Sequence, residues 1–325
     1  MVAGLWSQDF GQRVRLSPGE LWPAKKGIVT GSAVSVLGCW TVAIFRAEEP
    51  WVSRALDYLL TGGPARQRIA DIAHGAIWAR RLKQGHYNSV DIIPETPLFN
   101  QFDLSNRVAL DIGAHAGSWA QVLARRVGPS GYVIAYEALP HYGRALSIAL
   151  RIAGIRNIRV RNVAVGSSKG NVALRWRSER GDFLGGRTHI ERVMQKDTGV
   201  VQVQVVSIDE DLISIGVKPE DVGFVKIDVE GAEVEVLQGA SHLLRYGRPP
   251  VYLEAEPHSN ANMGHAVRDV FSLMSDYGYM PFLVAPDGIQ ATDLDRYLSQ
   301  YEHHRADGAP SAFHNNVLFL PTVSS

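Results

Sequence analysis

The chain has 325 residues, 46% of them hydrophobic and 20% charged, which is enough apolar mass for one large domain or two modest ones. Lys plus Arg equals Asp plus Glu at 33 each, so the total lacks the positive excess on which nucleic-acid binding draws. A single cysteine, Cys39, excludes an intrachain disulfide and a cysteine-based metal cluster, and it fits a reducing compartment.

Residues 1–26 are polar with scattered tryptophans and no period, a loosely structured lead-in. Residues 27–45 carry no charge between Lys25-Lys26 and Arg46, a stretch long enough to cross a bilayer as a helix. Gly27 and Gly31 add a spacing that favours close helix pairing in lipid, while Gly, Ser and Thr dilute the apolar character. Arg13, Arg15, Lys25 and Lys26 before it balance Arg46, Arg54, Arg66 and Arg68 after it, so no orientation follows. The late start behind a polar lead argues against a secretory signal. Two readings stay open, a membrane-associated helix and a soluble apolar helix or extension.

Trp51, Ala55, Leu56, Leu59 and Leu60 predict a helix that Thr61-Gly62-Gly63-Pro64 stops. Ile69, Ile72, Ala73, Ala76 and Ile77 predict the apolar stripe of a second, closed by the basic Arg80-Arg81-Leu82-Lys83 turn. Residues 85–106, with Pro94 and Pro97, read as loop. From 107 onward strand and helix alternate. Strands are expected at 107–112, 132–137, 157–163, 223–229, 250–255, 279–284 and 315–320. Helices are expected near 117–127, 140–152, 231–238 and 265–277. Residues 164–206 break the rhythm and read as an added β-hairpin or ribbon carrying a loop at 178–199. The alternation predicts an α/β fold, a mostly parallel sheet covered by helices on both faces. The expected division is a largely helical extension over 1–104 and a sheet domain over 105–325.

In such a sheet the carboxyl ends of the strands share one edge, where ligands bind. Asp111, Glu137, Asp228, Glu254 and Glu256 all fall at or near strand ends. After the first strand, Gly113-Ala114-His115-Ala116-Gly117 makes a turn into a helix start, where backbone can approach a ligand closely. Glu137 lies 20 residues past Gly117 and suits the paired hydroxyls of a ribose. The turn lacks the middle glycine of a pyrophosphate-binding G-x-G-x-x-G, and Asp111 would repel a pyrophosphate. That carboxylate suits a cationic sulfonium with an amino-acid tail. The balance favours a sulfonium cofactor over a nicotinamide dinucleotide.

The stretch Val108-Ala109-Leu110-Asp111-Ile112-Gly113-Ala114-His115-Ala116-Gly117-Ser118-Trp119 resembles motif I of class I S-adenosylmethionine-dependent methyltransferases. The block from Val225 through Lys226-Ile227-Asp228-Val229-Glu230-Gly231-Ala232-Glu233 to Leu237-Gln238-Gly239-Ala240 resembles the signature of FkbM-type methyltransferases. Tyr136–Pro140, Asn162–Gly166, Ser207–Asp209 and Leu253–Glu256 fall where that family carries its other blocks. The resemblance covers about residues 105–320, and it departs at Ala138, where the family more often has proline.

The resemblance implies a Rossmann-like class I fold with a seven-stranded sheet. Asp111, Gly113 and Gly117 would hold the methionine part, Glu137 the ribose, and Asn162 with Val163 the adenine side, while His115 would shape the cofactor turn. Asp228 is expected at the cofactor as well.

Asp228 and Glu230 alternate along the chain, so one is expected to face the ligand edge and the other its flank. Glu233 is expected to favour a helix N-terminus. Candidate catalytic groups are Asp228, Glu230, Glu256 and His258, with Glu254 and His115 as further bases. His189 would belong to a lid, and His303-His304 to a solvated turn. The strand-end carboxylates are explained by cofactor contacts, so no metal is expected. The implied reaction is O-methylation of a small-molecule hydroxyl on a sugar, glycolipid or secondary metabolite. The protein is expected to be cytoplasmic, and any anchor must leave 105–320 on that side. The competing reading is a membrane-associated, non-catalytic scaffold that keeps the fold.

Overall fold

A computed structural model describes Leu59 and residues 63–84, 101–176, 189–191, 199–257, 264–285, 288–307 and 315–322. The expectations for residues 1–58, the membrane reading of 27–45 among them, lie outside the described residues, as does the loop at 178–199 except for 189–191 and 199. Among the described residues no helix is long and apolar enough to cross a membrane.

The first described helix, α1 (Pro64–Lys83), starts at a proline whose missing N–H is harmless in a first turn and ends on Arg80, Arg81 and Lys83. Strand β1 (Val108–Ile112) is buried along its whole length, as a strand covered on both faces must be. Helix α2 (Ser118–Val127) returns to strand β2 (Tyr132–Tyr136). Helix α3 (Pro140–Ala153) follows, closed by left-handed Gly154, and leads to β3 (Ile158–Arg161).

The chain then leaves the main sheet. Strands β4 (Ala164–Val165), β5 (Gly170–Arg175), β6 (His189–Glu191) and β7 (Val200–Val206) form a separate four-stranded sheet in the order β4-β7-β5-β6. The insertion is thus a small sheet, with β5 antiparallel to β7 as the expected hairpin. Helix α4 (Ile208–Ser214) is capped by Ser207, which accepts from the Glu210 amide at 3.3 Å, and carries three acids in its first turn.

Strand β8 (Val222–Ile227), helix α5 (Glu233–Gly239), strand β9 (Val251–Glu254), helix α6 (Val267–Asp276) and strand β10 (Tyr279–Ala285) resume the alternation. Strand β11 (Gly288–Ala291), helix α7 (Leu294–Asp307) and strand β12 (Asn316–Pro321) finish it. The main sheet runs β11-β10-β12-β9-β8-β1-β2-β3. Neighbours from β9 to β3 pair in parallel, and β12 is antiparallel between β9 and β10.

All seven expected strands are present, and β11 adds an eighth by pairing antiparallel with β10. Its four residues are too short and too little apolar to announce a strand. The polar segment at 294–307 is helix, so His303 lies on an exposed helical surface and not in a turn.

The face of α1 also differs from the expected stripe. Ile72 is 55% exposed, while Asp71, Ile77 and Trp78 are buried. The helix is turned so that a polar residue, Asp71, meets partners on α3.

Leu110 and Ile112 of β1 join α4, α5 and α6 in one core on one face of the sheet, with Tyr297 of α7. On the other face Trp119 of α2 packs against Tyr252, ring centroids 5.4 Å apart. The first strands therefore end between two packed layers, and their carboxyl ends open together.

Candidate active site

The end of β1 is pressed against the end of β8. The Asp228 amide donates to the Ile112 carbonyl at 2.9 Å, and a Cβ on Gly113 would stand 1.8 Å from the Asp228 carbonyl oxygen. Gly113 also has φ +89°, so both space and backbone demand glycine. Its amide and that of Ala114 both donate to the Tyr136 carbonyl, at 3.0 and 2.9 Å, which ties the turn to β2. Gly117 then caps α2. A second close approach sits at the far end of the Lys226–Ala240 block, where a Cβ on Gly239 would stand 2.1 Å from the Gly166 carbonyl.

Around this turn lies a cavity of about 270 Å³, close to the lower bound of ordinary small-ligand pockets. Asp111, Gly113, His115 and Glu137 line it on one side, Asp228 and Glu230 on the other, with Val163 and Leu174 closing it.

Glu137 is buried, and both its oxygens accept main-chain amides: Oε2 from His115 and Oε1 from Leu139, each at 2.8 Å. The carboxylate is therefore held in one orientation, and each oxygen keeps a second lone pair. Burial pushes its carboxyl up to about 7, although those two hydrogen bonds favour the ionised form. Asn162 holds the same turn from behind, donating to the carbonyls of Glu137 at 2.6 Å and Leu139 at 3.2 Å. It thus acts on the backbone of the turn, while Val163 is the residue that lines the cavity.

Asp111 is 2% exposed and takes one hydrogen bond from the Ala120 amide, which anchors the first turn of α2. Burial pushes its carboxyl up to about 7 against the pull of the Lys226 charge. Among the described residues its buried Oδ2 has no hydrogen-bond partner, and a cationic or hydrogen-donating ligand would suit it.

The opposite wall is acidic. Asp228, Glu230 and Glu254 each bring one oxygen within 4.8 Å of the others, a donor set that a hard cation could use. Asp228 and Glu230 both line the cavity, so the expected alternation fails here. The strand ends at Ile227, and left-handed Glu230 (φ 54°) turns the chain back. Burial, then the Asp228 charge beside it, pushes the Glu254 carboxyl up.

A charge lies directly beneath. Lys226 is 1% exposed, and its Nζ donates to Asn316 Oδ1 at 3.0 Å, to the Ile227 carbonyl at 3.1 Å and to Asp228 Oδ2 at 3.5 Å. The ammonium also lies 5.4 Å from the Tyr252 ring centroid and 5.9 Å from that of Trp119. It supplies positive charge against Asp228 from within the protein.

The other predicted groups fall elsewhere. Glu233 opens α5 and accepts the Gly231 amide at 3.1 Å and the Val229 amide at 3.4 Å, a capping role. Glu256 is bonded by the Tyr301 hydroxyl and does not line the cavity. Asp209 accepts the amides of His242 at 2.7 Å and Leu243 at 2.9 Å, so the Ser207–Asp209 block ties elements together. His258 lies outside the described residues. His189 is placed in β6 by its backbone alone. Sequence reasoning missed Ser118, Trp119 and Tyr142 as lining residues. Their signal is position, since each sits in the first turn of a helix that leaves a strand end.

The methyltransferase FkbM domain model matches residues 111–281. No curated protein matches the chain. Among solved structures the chain is similar to the methyltransferase FkbM from Methylobacillus flagellatus KT, at 15% identity and a TM-score of 0.41. That likeness covers 82% of this chain and 57% of the other. A SAM-dependent O-methyltransferase from Thermotoga maritima is 14% identical, with a TM-score of 0.38, over 72% of this chain and 66% of that one. The O-methyltransferase TomG from Streptomyces achromogenes, solved with SAM, is 13% identical, with a TM-score of 0.38, over 75% and 89%. The chain thus spans 57% and 66% of the length of the first two.

Proposed function

The chain belongs to the FkbM methyltransferase family, and from that premise we propose that it transfers a methyl group from S-adenosyl-L-methionine to a hydroxyl of a small-molecule acceptor. A sugar, glycolipid or secondary metabolite is the acceptor class. The observation that carries the reading is Glu137, a carboxylate fixed by the amides of His115 and Leu139 at the wall of the cavity. Its remaining lone pairs suit the two hydroxyls of a ribose. The unpartnered Asp111 Oδ2 and the close backbone at Gly113 suit the positively charged amino-acid end.

When bound, the cofactor supplies an electrophilic methyl on a sulfonium. The protein's part is to orient two reactants in line and exclude water, which is where most of such a rate enhancement arises. Gly113, Glu137 and Val163 fix one reactant. Asp228 faces the other, where its carboxylate can accept the hydroxyl proton as the new C–O bond forms. Lys226 Nζ steadies Asp228 Oδ2.

Titration calorimetry with S-adenosylmethionine and with its demethylated product tests the reading. Both are expected to bind the wild type, and Glu137→Ala is expected to weaken them about thirtyfold, the loss of about 2 kcal/mol of charged hydrogen bonding. Absence of binding, or tighter binding of NAD, would overturn it.

A further inference from the structure

Helix α1 precedes the residues matched by the family model, yet it builds the back of the cofactor turn. Trp78 is 5% exposed, and its ring lies 5.7 Å from that of His115 and 5.4 Å from that of Tyr142. Those two rings meet edge-on at 4.6 Å, and both residues line the cavity. His115 has φ 45°, a conformation a non-glycine residue holds only when its surroundings impose it, and its amide orients Glu137.

One turn back along α1, His74 stacks on Trp78 at 5.6 Å with ring planes 8° apart. His74 is hydrogen-bonded to His141, and His141 Nδ1 meets Asp71 Oδ1 at 2.5 Å. Arg144 Nε and Nη2 donate to the two Asp71 oxygens at 2.5 and 3.3 Å. Asp71 is 3% exposed, so this carboxylate on α1 is committed to two partners on α3. His141, Tyr142 and Arg144 all sit in the first turns of α3, immediately after the Glu137 turn. Polar bonds thus seat α1 on α3, and one indole then presses on the wall of the site.

We propose that α1 is a positioning element of the cofactor site, in which Trp78 fixes His115 and Tyr142 and Asp71 fixes the helix through His141 and Arg144. The inference rests on the reading of the cavity as a cofactor site. Loss of the indole lets His115 relax, and the amide that orients Glu137 moves with it. Displacements of this size are costly where a site depends on preorganised groups.

The test is calorimetric affinity for S-adenosylmethionine, each variant measured well below its own melting midpoint. Trp78→Ala is expected to weaken binding about tenfold or more, and Trp78→Phe to restore it to within about threefold of wild type. Asp71→Asn is expected to fall between, and it reads the same coupling if Trp78→Ala does not fold. Met274→Ala, fully buried in α6 and away from the cavity, is the control for destabilisation alone and should leave affinity unchanged. Unchanged affinity in Trp78→Ala and Asp71→Asn, or an equal loss in Met274→Ala, would overturn the inference while leaving the cofactor reading intact. No binding by the wild type would overturn the cofactor reading, and this inference with it.

Discussion

The two walls of the cavity are built on opposite plans. On the β1–β2 side the polar groups are committed to the protein's own backbone: Glu137 to two amides, Asp111 to the start of α2, and Asn162 to two carbonyls. On the β8–β9 side three carboxylates stand close together, Asp228 with 41% of its side chain exposed, balanced by one buried ammonium. The first wall is rigid and shaped in advance, as suits a ligand that never changes. The second is open and charged, as suits the place where an acceptor arrives and a proton leaves.

Gly113→Ala should break both walls at once and have the largest effect. The new Cβ would meet the Asp228 carbonyl at 1.8 Å on a backbone with φ +89°, which costs about 3 kcal/mol or more. Loss of cofactor binding and a lowered denaturation midpoint are expected. A variant that behaves like wild type would show that β1 and β8 do not meet as described.

Lys226→Met should separate the walls. Removing the ammonium leaves Asn316 Oδ1 and Asp228 without its bond, costing about 1–3 kcal/mol of stability after allowance for the exposure of Asp228. Cofactor affinity is expected to stay within about threefold of wild type while methyl transfer falls further. Equal losses in both would contradict the division of labour.

The smallest effect is a pH dependence of the ligand-free protein. Asp111, Glu137 and Glu233 are each pushed up to about 7 by burial, from ordinary values of 3.8, 4.5 and 4.5. Between about pH 4.5 and 7 these carboxyls keep protons in the fold that the unfolded chain has released, which lowers stability as pH rises, and Glu254, also pushed up by burial, prolongs the fall. Buried His74 and His115, held below 6.5, act in the opposite sense until the unfolded imidazoles are neutral. Asp71 behaves oppositely. Burial would raise its carboxyl, but the hydrogen bonds from His141 and Arg144 hold it below 3.8, so its contribution is lost only under more acidic conditions. A melting midpoint that drops by a few degrees between about pH 6.5 and pH 8, where the histidines no longer oppose the carboxyls, is expected. A midpoint that rises through that range would contradict the burial of these groups in the ligand-free state.

The β1–β2 wall was the more legible of the two in the sequence. Strand–helix alternation placed Asp111 and Glu137 at strand ends, and the turn after Asp111 announced close backbone by its glycines. Asp228 was equally legible as a strand-end acid. Its pairing with Glu230 was not, because period-two reasoning stops where the strand does, at Ile227.

Helix α1 was legible as a helix but not by its buried face, since Asp71 and His74 are residue types a pattern assigns to solvent. Only their partners on α3, about seventy residues away in sequence, explain them. Strand β11 and helix α7 lacked an apolar period, and α7 is held by Tyr297, whose hydroxyl donates to the Ala255 carbonyl at 2.9 Å. Lys226 gave a sequence signal only as part of a block. Its burial, with Asn316 as partner from a strand 90 residues away, comes from the sheet order, which no local pattern contains.

The central claim is transfer of a methyl group from S-adenosylmethionine to oxygen, and a labelled methyl group tests it most directly. The protein would be incubated with methyl-labelled cofactor and a small-molecule extract of the source cell, and the labelled product identified by mass spectrometry and NMR. The account predicts label in an ether linkage to oxygen, reduced in Glu137→Ala and Asp228→Asn. Label on nitrogen or carbon, or cofactor bound with no label transferred to any acceptor, would contradict it.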